Sequence, residues 1–121
     1  MLSFGPQTKI FLVSGATDLR RSFNGLSAIV ESHLEGDCLS GAIYVFTNRR
    51  RNRVRTLHWD GSGLWVCSKR LESGTFSWPT SEKKSISLTV EELTLLLGGI
   101  DLGETKRRPW YRREQRQRQT G

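Results

Sequence analysis

The stretch "GAIYVFTNRRRNRVRTLHWDGSGLWVCSKRL", residues 41–71, decides the architecture. Three runs rich in branched and aromatic residues are separated by "RRRN" and "GSG", links short enough to make the runs antiparallel neighbours. The first run is apolar at both parities, Ile43 and Val45 against Tyr44 and Phe46, as a central strand covered on both faces should be. In the second, Leu57 and Trp59 share one parity with Arg53 and Arg55, which lie near the hairpin tip where they still reach solvent. A fourth run, "GTFSWP" at 74–79, follows the turn "ESG" and extends the expected meander.

Upstream, "KIFLVSG" (9–15) reads as a short strand stopped by Ser14 and Gly15. Leu19, Phe23, Leu26, Val30 and Leu34 then recur at helical spacing, predicting a helix from Asp18 with Thr17 as N-cap and "EGD" (35–37) as its end. Downstream, "SLTVEELTLLLGG" (87–99) carries a capping box, Thr89 with Glu92, and a staple, Leu88 with Leu93. Gly98 and Gly99 close that helix. The fold class is therefore α+β: an antiparallel meander of about four strands flanked by two main helices. Residues 1–103 form the expected domain, and 104–121 a basic, poorly ordered tail in which Pro109 blocks helix continuation.

The chain has 121 residues, room for one ordinary domain. Its net charge of +7 is local. Residues 104–121 hold seven Lys/Arg against two Glu, and residues 48–58 hold five Arg and no acid. Such clusters attract polyanions. Arg outnumbers Lys fourteen to five, which suits bidentate phosphate contacts. Cys38 and Cys67 stand 29 positions apart without a CxxC or a nearby His pair, so neither zinc nor any other cofactor is implied. No apolar run approaches the roughly 20 residues of a membrane span, and "KIFLV" is too short for a signal-peptide core. Cytoplasmic residence with reduced thiols is the default expectation.

A catalytic set is not visible. Asp18, Asp60 and Glu72 would be the carboxylates of a metal-dependent nuclease, but each has a simpler role at a helix start or in a turn. His33 and His58 make no local pair, and the glycines at 61 and 63 lack the GxxxxGK[ST] of a phosphate loop. The chemistry the residues do offer is electrostatic. A hairpin tip bearing Arg49, Arg50, Arg51, Arg53 and Arg55 can neutralise phosphates, with Arg20 and Arg21 as further contacts. Trp59, Trp65 and Trp78 suit either a sheet core or stacking on unpaired bases. Sequence-specific base reading has no motif here, and DNA and RNA both remain open.

Three segments, "GATDLRRSFNGL" (15–26), the run from Ser40 to Pro79 and "ISLTVEELTLLLGGIDL" (86–102), together resemble the TnpB accessory protein of the insertion-sequence sixty-six group of bacterial transposable elements. The shared pieces are "TDLR", "FTNRR", "WDG", "KRLE" and "LTVEEL". The sequence departs from the pattern with Ser22 and Asn24 in place of Gly and Asp, and with Arg51 and His58. The resemblance implies an accessory role in transposition beside a separate transposase; neither a membrane nor a small-molecule substrate is expected as a partner. DNA binding through the basic hairpin is the leading expectation. The alternative is a module that docks on the transposase through "TDLRRSF" and "HWDGSGL", with Thr17, Asp18, Trp59 and Asp60 on its surface.

Overall fold

The computed structural model describes residues 8–98. The expected tail lies outside the described residues. Five strands, β1 (Ile10–Val13), β2 (Ile43–Thr47), β3 (Arg53–Trp59), β4 (Leu64–Arg70) and β5 (Ser85–Leu88), form one sheet in the order β4-β3-β2-β1-β5. Helix α1 (Phe23–Ala28) runs on into a π-helical turn, Ile29–His33, and α2 spans Val90–Leu97. The class is α+β, as the patterning implies, but the sheet is mixed.

Only β2, β3 and β4 make a meander. β1 pairs in parallel with β2 and antiparallel with β5, so β1, α1 and β2 form a crossover connection. "GTFSWP" is not a strand. Its alternation has another cause: Phe76 and Trp78 both turn into the core, while the Phe76 N–H donates to the Arg51 carbonyl (2.6 Å) and the Trp78 indole to the Val13 carbonyl (3.1 Å). The backbone is thus diverted from any strand ladder. The edge beside β1 is taken instead by "SISL", which abuts the capping box of α2. That box forms as expected, and Leu88 and Leu93 share one cluster.

The helix expected from Asp18 starts five residues later, and Ser22 rather than Thr17 is its N-cap. Local bonds compete with the helix at this point. The Asp18 carboxylate accepts from the Arg20 N–H (3.0 Å), Arg21 N–H donates to the Asp18 carbonyl (3.3 Å), and the Thr17 N–H is drawn to the Thr47 carbonyl (2.7 Å). Phe23, on the predicted apolar stripe, is consequently at the first helical position and exposed. Leu19, Leu26 and Val30 remain buried. The π turn closes with Leu34 N–H to Ile29 O (3.1 Å), and Glu35 then takes a left-handed conformation, φ 55°. Gly36 is needed there because a Cβ would stand 2.7 Å from the Tyr44 hydroxyl.

Two cores result, one on each face of the sheet. Tyr44, Phe46 and Leu57 pack with Leu19, Leu26 and Val30 on the α1 side. Ile43, Val45 and Val54 pack with Phe76, Trp78, Leu93 and Leu96 on the other. Every residue of β2 is buried, as the two-parity pattern requires. Among the described residues no helix is long and apolar enough to cross a membrane.

Candidate nucleic-acid interface

The arginine loop is a braced turn. Asn48 Oδ1 accepts from the Asn52 and Arg53 N–H groups (3.1 Å each), its amide donates to Asn52 Oδ1 (2.7 Å), and the Arg51 N–H closes on the Asn48 carbonyl (3.1 Å). Arg51 sits at φ 59°, in the left-handed region, at a cost tolerated because so many bonds fix the turn. From outside, the Leu71 N–H donates to the Asn52 carbonyl (2.8 Å) and the Phe76 N–H to that of Arg51. The loop therefore presents its arginines from a fixed backbone.

The loop does not stand alone. The Thr17–Thr47 backbone bond draws the segment 16–20 alongside it, and the two enclose an open cleft of about 750 Å³. Ala16 to Arg20 form one wall, and Asn48, Arg49, Arg50, Asn52, Arg53 and Arg55 the other. Among the described residues, five arginines and one acid line the cleft. That acid, Asp18, is already paired with Arg20 through two bonds (3.0 and 2.9 Å), which pull its carboxyl down to about 2. Arg49, Arg50 and Arg53 are exposed, and their side chains have no hydrogen-bond partner among the described residues.

The remaining predicted contacts divide. Arg55 is half-buried, its guanidinium donating to Ser68 Oγ (3.0 Å) and to the Arg21 carbonyl (2.8 Å), so it ties β3 to the entry of α1 while lining the cleft. Arg21 lies across the Asp18 turn, beside Ile29 and His33 in a smaller hollow. Arg51 is half-buried and is not on the cleft wall. The bracing by Asn48 was not anticipated, although Asn before a turn is a known signal.

The surface residues of the docking alternative are separated. Thr17 and Asp18 sit beside the Thr47–Val54 end of the β2–β3 pair, while Trp59 and Asp60 lie at the other end of β3, about 17 Å along the strand. Asp60 organises its hairpin: its carboxylate accepts from the Ser62 N–H (2.9 Å), the Trp65 indole (2.7 Å), the Gly63 N–H (2.9 Å) and the Ser62 hydroxyl (3.1 Å). Bonds to the ionised form, the Ser62 N–H first, hold its carboxyl well below the usual range. Because the folded value lies below the unfolded one, this stabilisation is complete above about pH 5 and fades as the pH falls through the folded value. Asp60→Asn is expected to lower Tm at pH 7 and to flatten the fall in Tm between about pH 4 and 2; thermal melts across that range check it. Asp18, Asp60 and Glu72 do not meet as a carboxylate set, since Asp60 belongs to the far hairpin. Glu31, Asp37 and Cys38 do bring ligand atoms within 4.8 Å, but burial pushes the Cys38 thiol up and it donates to Glu31 Oε2 (3.2 Å).

Two segments 30 residues apart, "TDLRR" and "TNRRR", thus build one cleft. A family model described as "IS66 Orf2 like protein" matches residues 8–107. The chain belongs to the IS66 Orf2-like family. Two relatives from Sinorhizobium fredii (strain NBRC 101917 / NGR234) are similar over most of their length. "Uncharacterized protein y4jC" is 40% identical over 101 residues, covering 84% of this chain and 86% of the relative. "Uncharacterized protein y4hO" is 34% identical over 101 residues, covering 84% and 88%. No solved structure matches. The family match spans both cleft walls and both helices.

Proposed function

We propose that this IS66 Orf2-like protein is a non-catalytic accessory factor of insertion-sequence transposition that holds DNA by its phosphates in the arginine cleft. The carrying observation is the convergence of five arginines from two distant segments on one concave surface, with the single acid already neutralised by Arg20. Family membership supports the accessory role. Arg49, Arg50 and Arg53 are the principal contacts; Arg20 and Arg55 lie on the walls with part of their hydrogen-bonding capacity committed. Arg21 and Arg51 contribute through the field rather than through the cleft. A braced backbone suits this task because less ordering is required when the ligand arrives.

The test is binding of the full chain and of a chain lacking residues 104–121 to an element-end duplex and a scrambled duplex across a salt series. The shortened chain is expected to retain a steep log-log salt slope, about 0.9 for each phosphate neutralised. Binding that disappears with residues 104–121 would remove the cleft from the account. A second reading, docking on the transposase, is favoured by Trp65, a residue 41% exposed on an edge strand while Asp60 fixes its indole. Capture of the transposase in the absence of DNA, lost in Trp65→Ser, would move the assignment there.

A further inference from the structure

Two arginines face each other across β3 and β4. Arg53 is directly opposite Arg70 in the ladder. The hydrogen bonds at its two ends, Leu71 N–H to Asn52 O and Asp60 N–H to Gly63 O, fix which pairs exchange backbone bonds. Counting inward from Asn52–Leu71, Arg53–Arg70 is a pair that does not. The Arg53 carbonyl accordingly turns the other way, accepting from Asn48 N–H and Thr47 Oγ1. At such positions the side chains are closest, with Cβ atoms roughly 4.5–5.5 Å apart, and like charges directly opposite are destabilising.

Both side chains project from the α1 face. Arg53 shares its parity with Arg55 and Leu57, and Arg70 with Ser68 and Val66; the Arg55–Ser68 bond in the next row shows that these sides meet. Among the described residues no carboxylate pairs with either arginine, the ion pair formed there being Arg20–Asp18. Both arginines line a second hollow that shares Leu19, Arg53 and Arg55 with the main cleft, so the basic surface continues from the loop to the edge of the sheet. Lys69, of opposite parity, donates its ammonium to the Leu97 carbonyl (2.9 Å). Ser68 Oγ accepts from Arg55 and keeps its own hydrogen to donate.

We propose that Arg53 and Arg70, with the Ser68 hydroxyl, form a seat for one phosphate group at the β4 end of the cleft. A bound dianion or phosphodiester converts the repulsive row into two charge-assisted contacts from planar forks that match phosphate geometry. The seat deepens the DNA reading and rests on it for the source of the phosphate, a nucleic-acid backbone. Arg70 is thereby a binding residue contributed by β4, on the far side of β3 from the arginine loop.

The experiment titrates the full chain with inorganic phosphate at constant ionic strength, following Tm and calorimetric heat, for wild type, Arg53→Gln, Arg70→Gln and the exposed control Lys83→Gln. Wild type and Lys83→Gln are expected to gain Tm with phosphate. Arg70→Gln is expected to start at an equal or higher Tm without phosphate, to lose most of that gain, and to bind phosphate about tenfold more weakly. Arg53→Gln should behave alike. The same set is then measured against a duplex, where Arg70→Gln should lower the salt slope by about 0.9. Phosphate that stabilises Arg70→Gln as much as wild type, or that fails to stabilise wild type, overturns the seat whatever the duplex result. A phosphate gain lost in both arginine variants but not in Lys83→Gln establishes the seat even if duplex binding is absent, and the DNA reading alone then fails.

Discussion

Replacing Arg49, Arg50 and Arg53 together by Ser is expected to weaken duplex binding about a hundredfold near 0.1 M salt, and to reduce the salt slope by about 2.7. The three are chosen because they are exposed on the cleft wall and their side chains hold no structural bond among the described residues. Arg55 is excluded because it bonds Ser68 and the Arg21 carbonyl, and Arg51 because it occupies the left-handed position of the turn. The turn itself is fixed by Asn48 and by backbone groups that the substitutions leave intact. Stability should therefore change little, with at most a small gain from relieving exposed like charges in one loop. Filter-binding or anisotropy titrations at several salt concentrations check both numbers. An affinity and slope equal to wild type would show that the loop is not the grip.

How far the sequence foretells this site depends on the range of the interaction concerned. Alternation and turn residues are local, so β2, β3, β4 and the arginine turn were legible in residues 41–71. The capping box at Thr89 and Glu92 is equally local and formed as read. The parallel pairing of β1 with β2 is not local: a four-residue apolar run before a helix is compatible with several neighbours, and the choice is made by the shared core. "SISL" has two apolar residues and merges into the helix signal, which hid β5. In "GTFSWP" the period of two was real, but it reports two aromatics entering one core rather than a ladder. Asp18 misled for a related reason, since a carboxylate that favours a helix start also closes a turn with Arg20. For the site, charge density marked the loop at once. The second wall, and Arg70 opposite Arg53, depend on a backbone bond and a strand register that no spacing rule displays.

Phe76→Ala is expected to destabilise the protein by about 3–5 kcal/mol, the range for emptying a buried aromatic position. Phe76 is 1% exposed in the cluster that joins Val54, Trp78, Leu93 and Leu96, and it lies in a segment with no strand pairing to hold it otherwise. For a domain of this size, whose total stability is of order 5–15 kcal/mol, such a loss is a large fraction and should lower Tm by roughly 15–25 °C. Urea unfolding with an unchanged m-value would give the loss directly. The same segment carries the N–H that braces the Arg51 carbonyl, so the variant also loosens the arginine turn without removing a charge. Below its melting range, Phe76→Ala should accordingly bind a duplex more weakly than wild type, with a nearly unchanged salt slope. That combination separates positioning from charge: the arginine replacements change the slope, whereas loss of the buttress changes affinity alone. A cost under about 1 kcal/mol would mean that Phe76 is not packed as described, and the buttress would then have no role in fixing the loop.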